Sequence, residues 1–152
     1  MILDVCAGWR PDRIISNAED DVLRAATART IFDIPGMGSA TALMFHNKVR
    51  MKQLFASAGL TPVPHREVQC VDDVVSAFAD LGPVVLKPRL GTAAVGVHIL
   101  DRRAALRHVL TDGNVLAALE QGALMVEPFV DGDVFHVDIA IGGEEVELVS
   151  PS

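Results

Sequence analysis

Apolar and polar positions follow two different periods along the chain and together predict a fold of mixed helices and strands. Apolar residues at helical spacing predict helices over residues 22–30, 40–45, 48–58, 71–81 and 101–110, with a further helical piece at 114–122. Short apolar or alternating runs predict strands over residues 12–17, 61–68, 83–87, 95–100, 124–130, 134–141 and 145–149. Helices and strands therefore share one small chain.

Local signals indicate where several of these elements begin and end. Asn47 is the predicted N-cap of a helix that stops at Gly59, and Asp101 is the predicted N-cap of a later helix. Gly142 and Gly143 predict a hairpin turn. The buried faces of the two helices after residue 70 are predicted to be Val71, Val74, Val75 and Phe78 in the first, and Ala104, Leu106, Val109 and Leu110 in the second.

Residues 83–97 combine a short strand, a lysine and a loop of small residues. Lys87 ends the strand, and a glycine-rich loop (residues 91–96) runs from Gly91 to Gly96 before the next apolar run. Glycine accepts positive φ and brings backbone N–H groups close to an anion, while a lysine ammonium supplies charge. This pattern predicts a phosphate site. The alternative is an ordinary hairpin followed by a solvated lysine.

Composition narrows the classes of function. The chain has 152 residues, a net charge of -7 and scattered cations, which argue against a nucleic-acid binder and leave room for one domain or two small ones. No apolar run approaches the ~20 residues of a membrane helix, and no signal peptide is expected. Cys6 and Cys70 are isolated, so neither a zinc site nor a disulfide framework is predicted, and a cytoplasmic location fits best.

Several motifs occur in an order that is typical of one family. Asn47-Lys48, the segment PVVLKP ending at Pro88, the glycine-rich loop and LMVEPFV over residues 124–130 resemble the ATP-grasp ligases across residues 12–152. The resemblance implies an α+β (α/β) ATP-grasp fold that is incomplete at both ends. Residues 1–40 would be the tail of a pre-ATP-grasp domain, 41–82 linking helices and an edge strand, 83–130 the lid subdomain, and 131–152 the start of a C-terminal subdomain.

The same resemblance assigns a role to each motif residue. Lys48 and Lys87 would contact the phosphates of ATP, and the loop residues Gly91, Thr92, Ala93, Ala94 and Gly96 would cover them. Glu127, Phe129 and Val130 would form the adenine hinge, Asp133 would bind the ribose, and His136 is a weaker candidate. Two alternatives stay open: Glu127 is an exposed strand residue, and Asp133 only makes a turn.

The chain departs from the family pattern at several positions. Asn47 replaces a usual aspartate, Ala93 and Ala94 stand where a serine is common, and Pro128 has no N–H to offer adenine. The family's Mg²⁺ ligands are expected beyond Val149, so no metal ligand is assigned here. Solvated charge is the expectation for Glu144, Glu145 and Glu147.

The resemblance implies ATP-dependent joining of a carboxylate to an amine through an acyl phosphate. Residues 135–152 (FHVDIAIGGEEVELVSPS) look most like the corresponding hairpin of the carboxylate–amine ligases that act on amino acids and peptides. Relatives of biotin carboxylase and carbamoyl-phosphate synthetase share much of this pattern. The implied partners are ATP, Mg²⁺ and small carboxylate and amine substrates, with no nucleic acid and no membrane. Apolar surface left by a missing subdomain predicts self-association, so the expected partners also include a second copy of this chain.

Two further functions remain open at this point. The first is a nucleotide-binding module, or inactive fragment, that has no chemistry of its own. The second is a plain structural domain. No catalytic residue is assigned, and little ligase activity is expected from these 152 residues alone.

Overall fold

The computed structural model describes residues 2–142 and 145–151. Its helices are α1 Ile2–Gly8, α2 Val22–Phe32, α3 Ser39–His46, α4 Lys48–Ser57, α5 Val71–Leu81, α6 Arg103–Val109 and α7 Gly113–Glu120. Its strands are β1 Arg66–Val68, β2 Val84–Pro88, β3 His98–Leu100, β4 Leu124–Pro128, β5 Val137–Gly142 and β6 Glu145–Pro151. A 3₁₀ turn over Glu19–Asp21 precedes α2. The fold class is α+β, as the sequence predicts.

The central sheet has the strand order β1-β4-β2-β3, and every neighbouring pair is antiparallel. The hairpin predicted around the glycine-rich loop is present, because Val84 pairs with Leu100 and Leu86 with His98. In the β2–β4 pair, Val85 lies opposite Glu127 and Lys87 opposite Met125. Opposite residues share a face of the sheet, so Val85, Lys87, Met125 and Glu127 lie on one side.

The other face of the sheet forms the main hydrophobic core. Val84 and Leu86 of β2 and Val126 of β4 are fully buried there. Helices α5, α6 and α7 supply Val74, Ala77, Leu106, Val109, Val115 and Leu119 to the same cluster. Side chains alternate between the faces of a strand, so this packing directs Lys87 and Glu127 away from the helices that form the core.

The N-terminal helices enclose a second, smaller cluster. Cys6, Ala28 and Ile34 are its buried members, with Ile2, Ile14 and Phe32 packed against it. Helix α2 also contacts α3, and α3 contacts α4. This chain of contacts links the N-terminal helices to α4, whose first residue is Lys48.

Strands β5 and β6 form a separate antiparallel hairpin. Val137, Ile139 and Val149 on it are more than half exposed, and Glu145 and Glu147 are also exposed, as predicted for solvated charge. The predicted turn residue Gly143, and Glu144, lie outside the described residues.

Four local predictions are wrong. Residues 12–17 form no strand; Arg29 of α2 donates hydrogen bonds to the Ile14 carbonyl, so a side chain takes the place of a strand partner. Arg102, rather than Asp101, is the N-cap of α6. Val75 of α5 and Ala104 of α6 are exposed, because each helix buries fewer of its apolar residues than its sequence pattern predicts.

Candidate functional site

The glycine-rich loop turns back on itself through a run of left-handed residues. Gly91 and Gly96 have φ of 135° and 70°, and Ala93 and Ala94 have φ of 52° and 59°. A Cβ atom at Gly96 would lie 3.0 Å from Pro88 Cγ, so the loop passes close to the end of β2. The prediction that glycines open and close this loop is confirmed, but two alanines share the strained conformation.

This loop forms one wall of a cavity of about 240 Å³. Lys48 at the start of α4 and Glu19 of the 3₁₀ turn also line this cavity. The remaining lining residues are Pro88, Gly91, Thr92, Ala93, Ala94, Val95 and Val97. The space therefore joins a basic side chain to the backbone of a loop with little side-chain bulk.

Lys48 is held in place by its own helix end. Asn47 caps α4, because its side-chain oxygen accepts hydrogen bonds from the N–H groups of Val49 and Arg50. The Lys48 N–H donates to the Arg89 carbonyl at 2.9 Å, and its Nζ donates to the Gly91 carbonyl at 2.8 Å. These contacts hold the first turn of α4 against Arg89 and Gly91, which follow β2.

The environment of Lys48 opposes its positive charge. Burial lowers the pKa of Lys48 below 10.5, and the neighbouring Lys87 ammonium lowers it further, while Glu19 and Glu127 act in the opposite direction. Lys48 and Lys87 therefore repel each other across the site. An anion placed between them would relieve this repulsion.

Lys87 and Glu127 belong to a charged cluster that also contains Lys52. Lys87 Nζ lies 2.5 Å from Glu127 Oε1, and Lys52 Nζ lies 3.4 Å from Glu127 Oε2. Both contacts are ion pairs, and Oε1 accepts no hydrogen bond from the described residues. The Glu127 side chain is only 10% exposed, so the alternative of an exposed strand residue is wrong.

Sequence reasoning misses three residues at this site. Lys52 follows Lys48 by one helical turn, and this spacing on one helix face is the available signal. Glu19 and Asp20 indicate only an acidic helix start in the sequence. In the structure Glu19 lines the cavity, and Asp20 accepts a hydrogen bond from Thr92 Oγ1 at 3.1 Å. The acidic turn thus contacts the glycine-rich loop.

The other predicted residues lie further along the chain from β4. The Phe129 N–H donates to the Pro83 carbonyl at 2.9 Å, so the backbone just after β4 stays beside β2. Phe129 and Val130 are exposed, and Asp133 and His136 are exposed in the segment between β4 and β5. The structure therefore brings Lys48, Lys87, Glu127 and the loop together and leaves these four side chains open to solvent.

A larger cavity of about 420 Å³ lies on another side of α4. Its lining is Met44, Val49, Arg50, Gln53, Leu54, Ser57 and Arg89. Two arginines line this larger cavity, but no residue of the glycine-rich loop does, so we place the candidate site at the smaller cavity. Within residues 2–142 and 145–151, no group of three or more metal-ligating side chains is brought together, and no helix is long and apolar enough to cross a membrane.

Comparison with known proteins supports the fold. No protein-family model matches the sequence. The chain is similar to the L-arginine-specific L-amino acid ligase of Bacillus subtilis, with 32% identity over 146 residues that cover 93% of this chain and 35% of the relative. It superposes on an ATP-grasp RimK domain protein from Sphaerobacter thermophilus with a TM-score of 0.63 and 18% identity, covering 84% of this chain and 48% of that one.

The chain has the ATP-grasp fold. An ADP complex of N5-carboxyaminoimidazole ribonucleotide synthetase gives a TM-score of 0.73 at 20% identity, covering 99% of this chain and 39% of that protein. The chain spans about a third of the length of the curated relative from Bacillus subtilis. Its ATP-grasp fold is thus established over nearly all of its own length and over a minority of these larger proteins.

Proposed function

We propose that this chain is the ATP-binding part of an ATP-dependent carboxylate–amine ligase that acts on amino acids or peptides. The observation that carries the proposal is the juxtaposition of Lys48 with the glycine-rich loop at one cavity, beside Lys87. The relative from Bacillus subtilis is an L-amino acid ligase, which supports the amino acid substrate class. The ADP-bound synthetase with the same fold supports the nucleotide.

The proposed phosphate position explains the arrangement of charges. Two ammonium groups that repel each other when no anion is present gain a common partner when a polyphosphate enters the cavity. The left-handed residues Ala93 and Ala94 keep the loop tightly turned, and small side chains leave its backbone accessible. Thr92, which donates to Asp20, is available to release that bond as the loop closes over the phosphates.

The proposed reaction needs charge neutralisation more than acid–base chemistry from this part of the chain. A carboxylate oxygen of the substrate attacks the γ-phosphorus, the bond between the β–γ bridging oxygen and γ-phosphorus breaks, and ADP leaves. The amine then attacks the acyl carbon of the acyl phosphate, forms the C–N bond, loses a proton and expels phosphate. Lys48 and Lys87 would offset the negative charge that develops during phosphoryl transfer.

The remaining assignments belong to the same proposal. Glu127, Phe129 and Val130 would serve as the adenine hinge, Asp133 as a ribose contact and His136 as a further contact. Residues 83–130 would act as the lid subdomain of a cytoplasmic enzyme. The proposal also includes association of the chain with a second copy of itself. Mg²⁺ would assist ATP as it does in phosphoryl transfer generally, but the described residues do not fit a metal site, and no step above depends on one.

Isothermal titration calorimetry with ATP tests the proposal. We expect binding to the wild-type chain and a loss of affinity of about tenfold to a hundredfold for Lys48→Met and for Lys87→Met, because each removes a charged hydrogen bond to phosphate. Arg107→Met is the matched control, since it removes an exposed cation from α6 and should leave the affinity unchanged. Absence of ATP binding, or equal affinities for all four proteins, would contradict the proposal.

A further inference from the structure

Lys52 is a buried lysine to which the proposed reaction gives no role. It is 8% exposed, and its Nζ donates to the Val63 carbonyl at 2.9 Å while lying 3.4 Å from Glu127 Oε2. Neither Lys52 nor Lys87 is among the residues that line the cavity of the glycine-rich loop, but Lys87 is near enough to Lys48 to lower the pKa of Lys48. Burying an ammonium group is unfavourable unless it is paired, so its position calls for an explanation.

Glu127 has a different lysine on each of its oxygens. Lys87 approaches Oε1 and Lys52 approaches Oε2. The Lys87 side chain is 21% exposed and that of Lys52 is 10% exposed, so Lys87 is the one nearer to solvent. The Lys52 ammonium also donates a hydrogen bond to the Val63 carbonyl, which holds it in place independently of Glu127. Lys52 is therefore more firmly anchored than the more exposed Lys87.

A phosphate that draws the Lys87 ammonium towards the cavity weakens its ion pair with Glu127. Without Lys52, Glu127 would then be a buried carboxylate short of a partner, which is strongly unfavourable. A second, permanent cation at Oε2 removes this obstacle. Lys52 satisfies the requirement because it is buried, held by α4 and bonded to the backbone of the segment before β1.

We propose that Lys52 is a positioning residue, the permanent counter-ion of Glu127 that allows Lys87 to exchange its ion pair for a phosphate of the nucleotide. This inference rests on the proposed function, because it takes the phosphate site as given. It assigns Lys52 no contact with the nucleotide. The simpler alternative is that Lys52 only fastens the Val63 segment to α4.

Nucleotide binding separates these two roles. With Lys52→Met, Glu127 has Lys87 as its remaining cation, and we expect ATP affinity to fall at least about tenfold, the equivalent of ~1.4 kcal/mol. In a Glu127→Gln background the carboxylate that retains Lys87 is absent, so adding Lys52→Met there should cost no further ATP affinity, whatever Glu127→Gln does by itself. A role limited to the Val63 carbonyl predicts the same loss of affinity in both backgrounds. Equal losses in the two backgrounds would overturn the inference.

A measurement without nucleotide keeps the inference testable on its own. Thermal unfolding of Lys52→Met, Lys87→Met and the double variant should show that the double loss in Tm exceeds the sum of the single losses, since only the double variant strips Glu127 of both cations. In the Glu127→Gln background this excess should vanish. Arg66→Met, which breaks an exposed ion pair between β1 of the same sheet and Asp80 of α5, is the control and should shift Tm little.

The two experiments distinguish two kinds of failure. If the wild-type chain bound no ATP, the proposed function would fail, while the unfolding experiment would still decide whether Lys52 and Lys87 both neutralise Glu127. Additive losses of Tm would overturn the role of Lys52 even if ATP bound tightly.

Discussion

Lys87 Nζ lies 2.5 Å from Glu127 Oε1, and this ion pair is diagonal across the antiparallel strands β2 and β4. Val85 is the direct partner of Glu127, and Lys87 is two residues further along the same face. Strand pairing therefore brings a cation of the candidate site next to a buried carboxylate. The helices that pack on the other face of the sheet bury Val84, Leu86 and Val126, which leaves Lys87 and Glu127 on this face.

Replacing Glu127 with glutamine should destabilise the chain strongly. The change leaves Lys52 and Lys87 buried or half-buried beside an uncharged amide, and breaking such a buried pair costs about 3–5 kcal/mol. Urea unfolding measures the loss. Asp80→Asn is the control, because the Arg66–Asp80 pair is exposed and its loss should cost less than about 1 kcal/mol. Equal losses for the two variants would contradict the burial argument.

The pH dependence of stability should reveal the lowered pKa of Lys48. Burial and Lys87 place the folded pKa below the unfolded value of 10.5, so the folded state binds fewer protons between these two values. Stability therefore rises with pH across this window, from the lowered pKa up to 10.5. Unfolding of wild type and Lys48→Met, compared at a series of alkaline pH values, measures the difference. We expect it to change in favour of wild type as pH rises; a constant difference would contradict the prediction.

Gly96 should resist substitution because of its backbone and its neighbour. Gly96→Ala introduces a Cβ at φ of 70° and 3.0 Å from Pro88 Cγ, and we expect a loss of about 1–2 kcal/mol together with weaker ATP binding. A Cβ added at Gly113, at the start of α7, would meet no atom within 4 Å, so Gly113→Ala should be neutral or stabilise by up to ~1 kcal/mol. Chemical denaturation of both variants checks the contrast, and similar effects would contradict it.

Asn47 should matter for both stability and binding. Asn47→Ala removes the oxygen that accepts from Val49 and Arg50, which we expect to cost about 1–2 kcal/mol and to loosen the adjacent Lys48. Asn47→Asp keeps the acceptor and should retain the stability. Asp112→Ala at the cap of α7 is the control: it should lower stability by about 1 kcal/mol without affecting ATP affinity. An unchanged ATP affinity for Asn47→Ala would show that the helix cap does not contribute to nucleotide binding.

Local sequence signals predict most of the fold. Helix α5 has the predicted bounds, because its apolar spacing ends at Gly82, where φ is 77°. The Asn47 cap and the hairpin from β2 to β3 follow from equally local chemistry. The predicted strand over residues 12–17 is wrong because strand formation needs a partner, and Arg29 bonds that backbone instead. Helix α1 is not predicted, since its seven residues show little periodicity.

The chemistry of the site is only partly accessible from the sequence. Glycines and a lysine after a strand indicate where an anion would bind, but the pairing of Glu127 with Lys52 depends on how α4 packs on the sheet. The approach of Asp20 to Thr92 joins residues 72 positions apart, which no local pattern reveals. Local sequence patterns therefore predict the glycine-rich loop and the lysines Lys48 and Lys87. The counter-ions of the site are brought together only by tertiary packing.

Two-dimensional NMR can map ADP binding onto the backbone amides of the chain. We expect the largest chemical-shift changes in the glycine-rich loop and at Lys48, with smaller changes at Glu127 and Phe129. The larger cavity beside Arg50 and Arg89 provides an internal comparison within the same spectra. Changes centred on that cavity, with the glycine-rich loop unaffected, would show that phosphate does not bind between Lys48 and this loop.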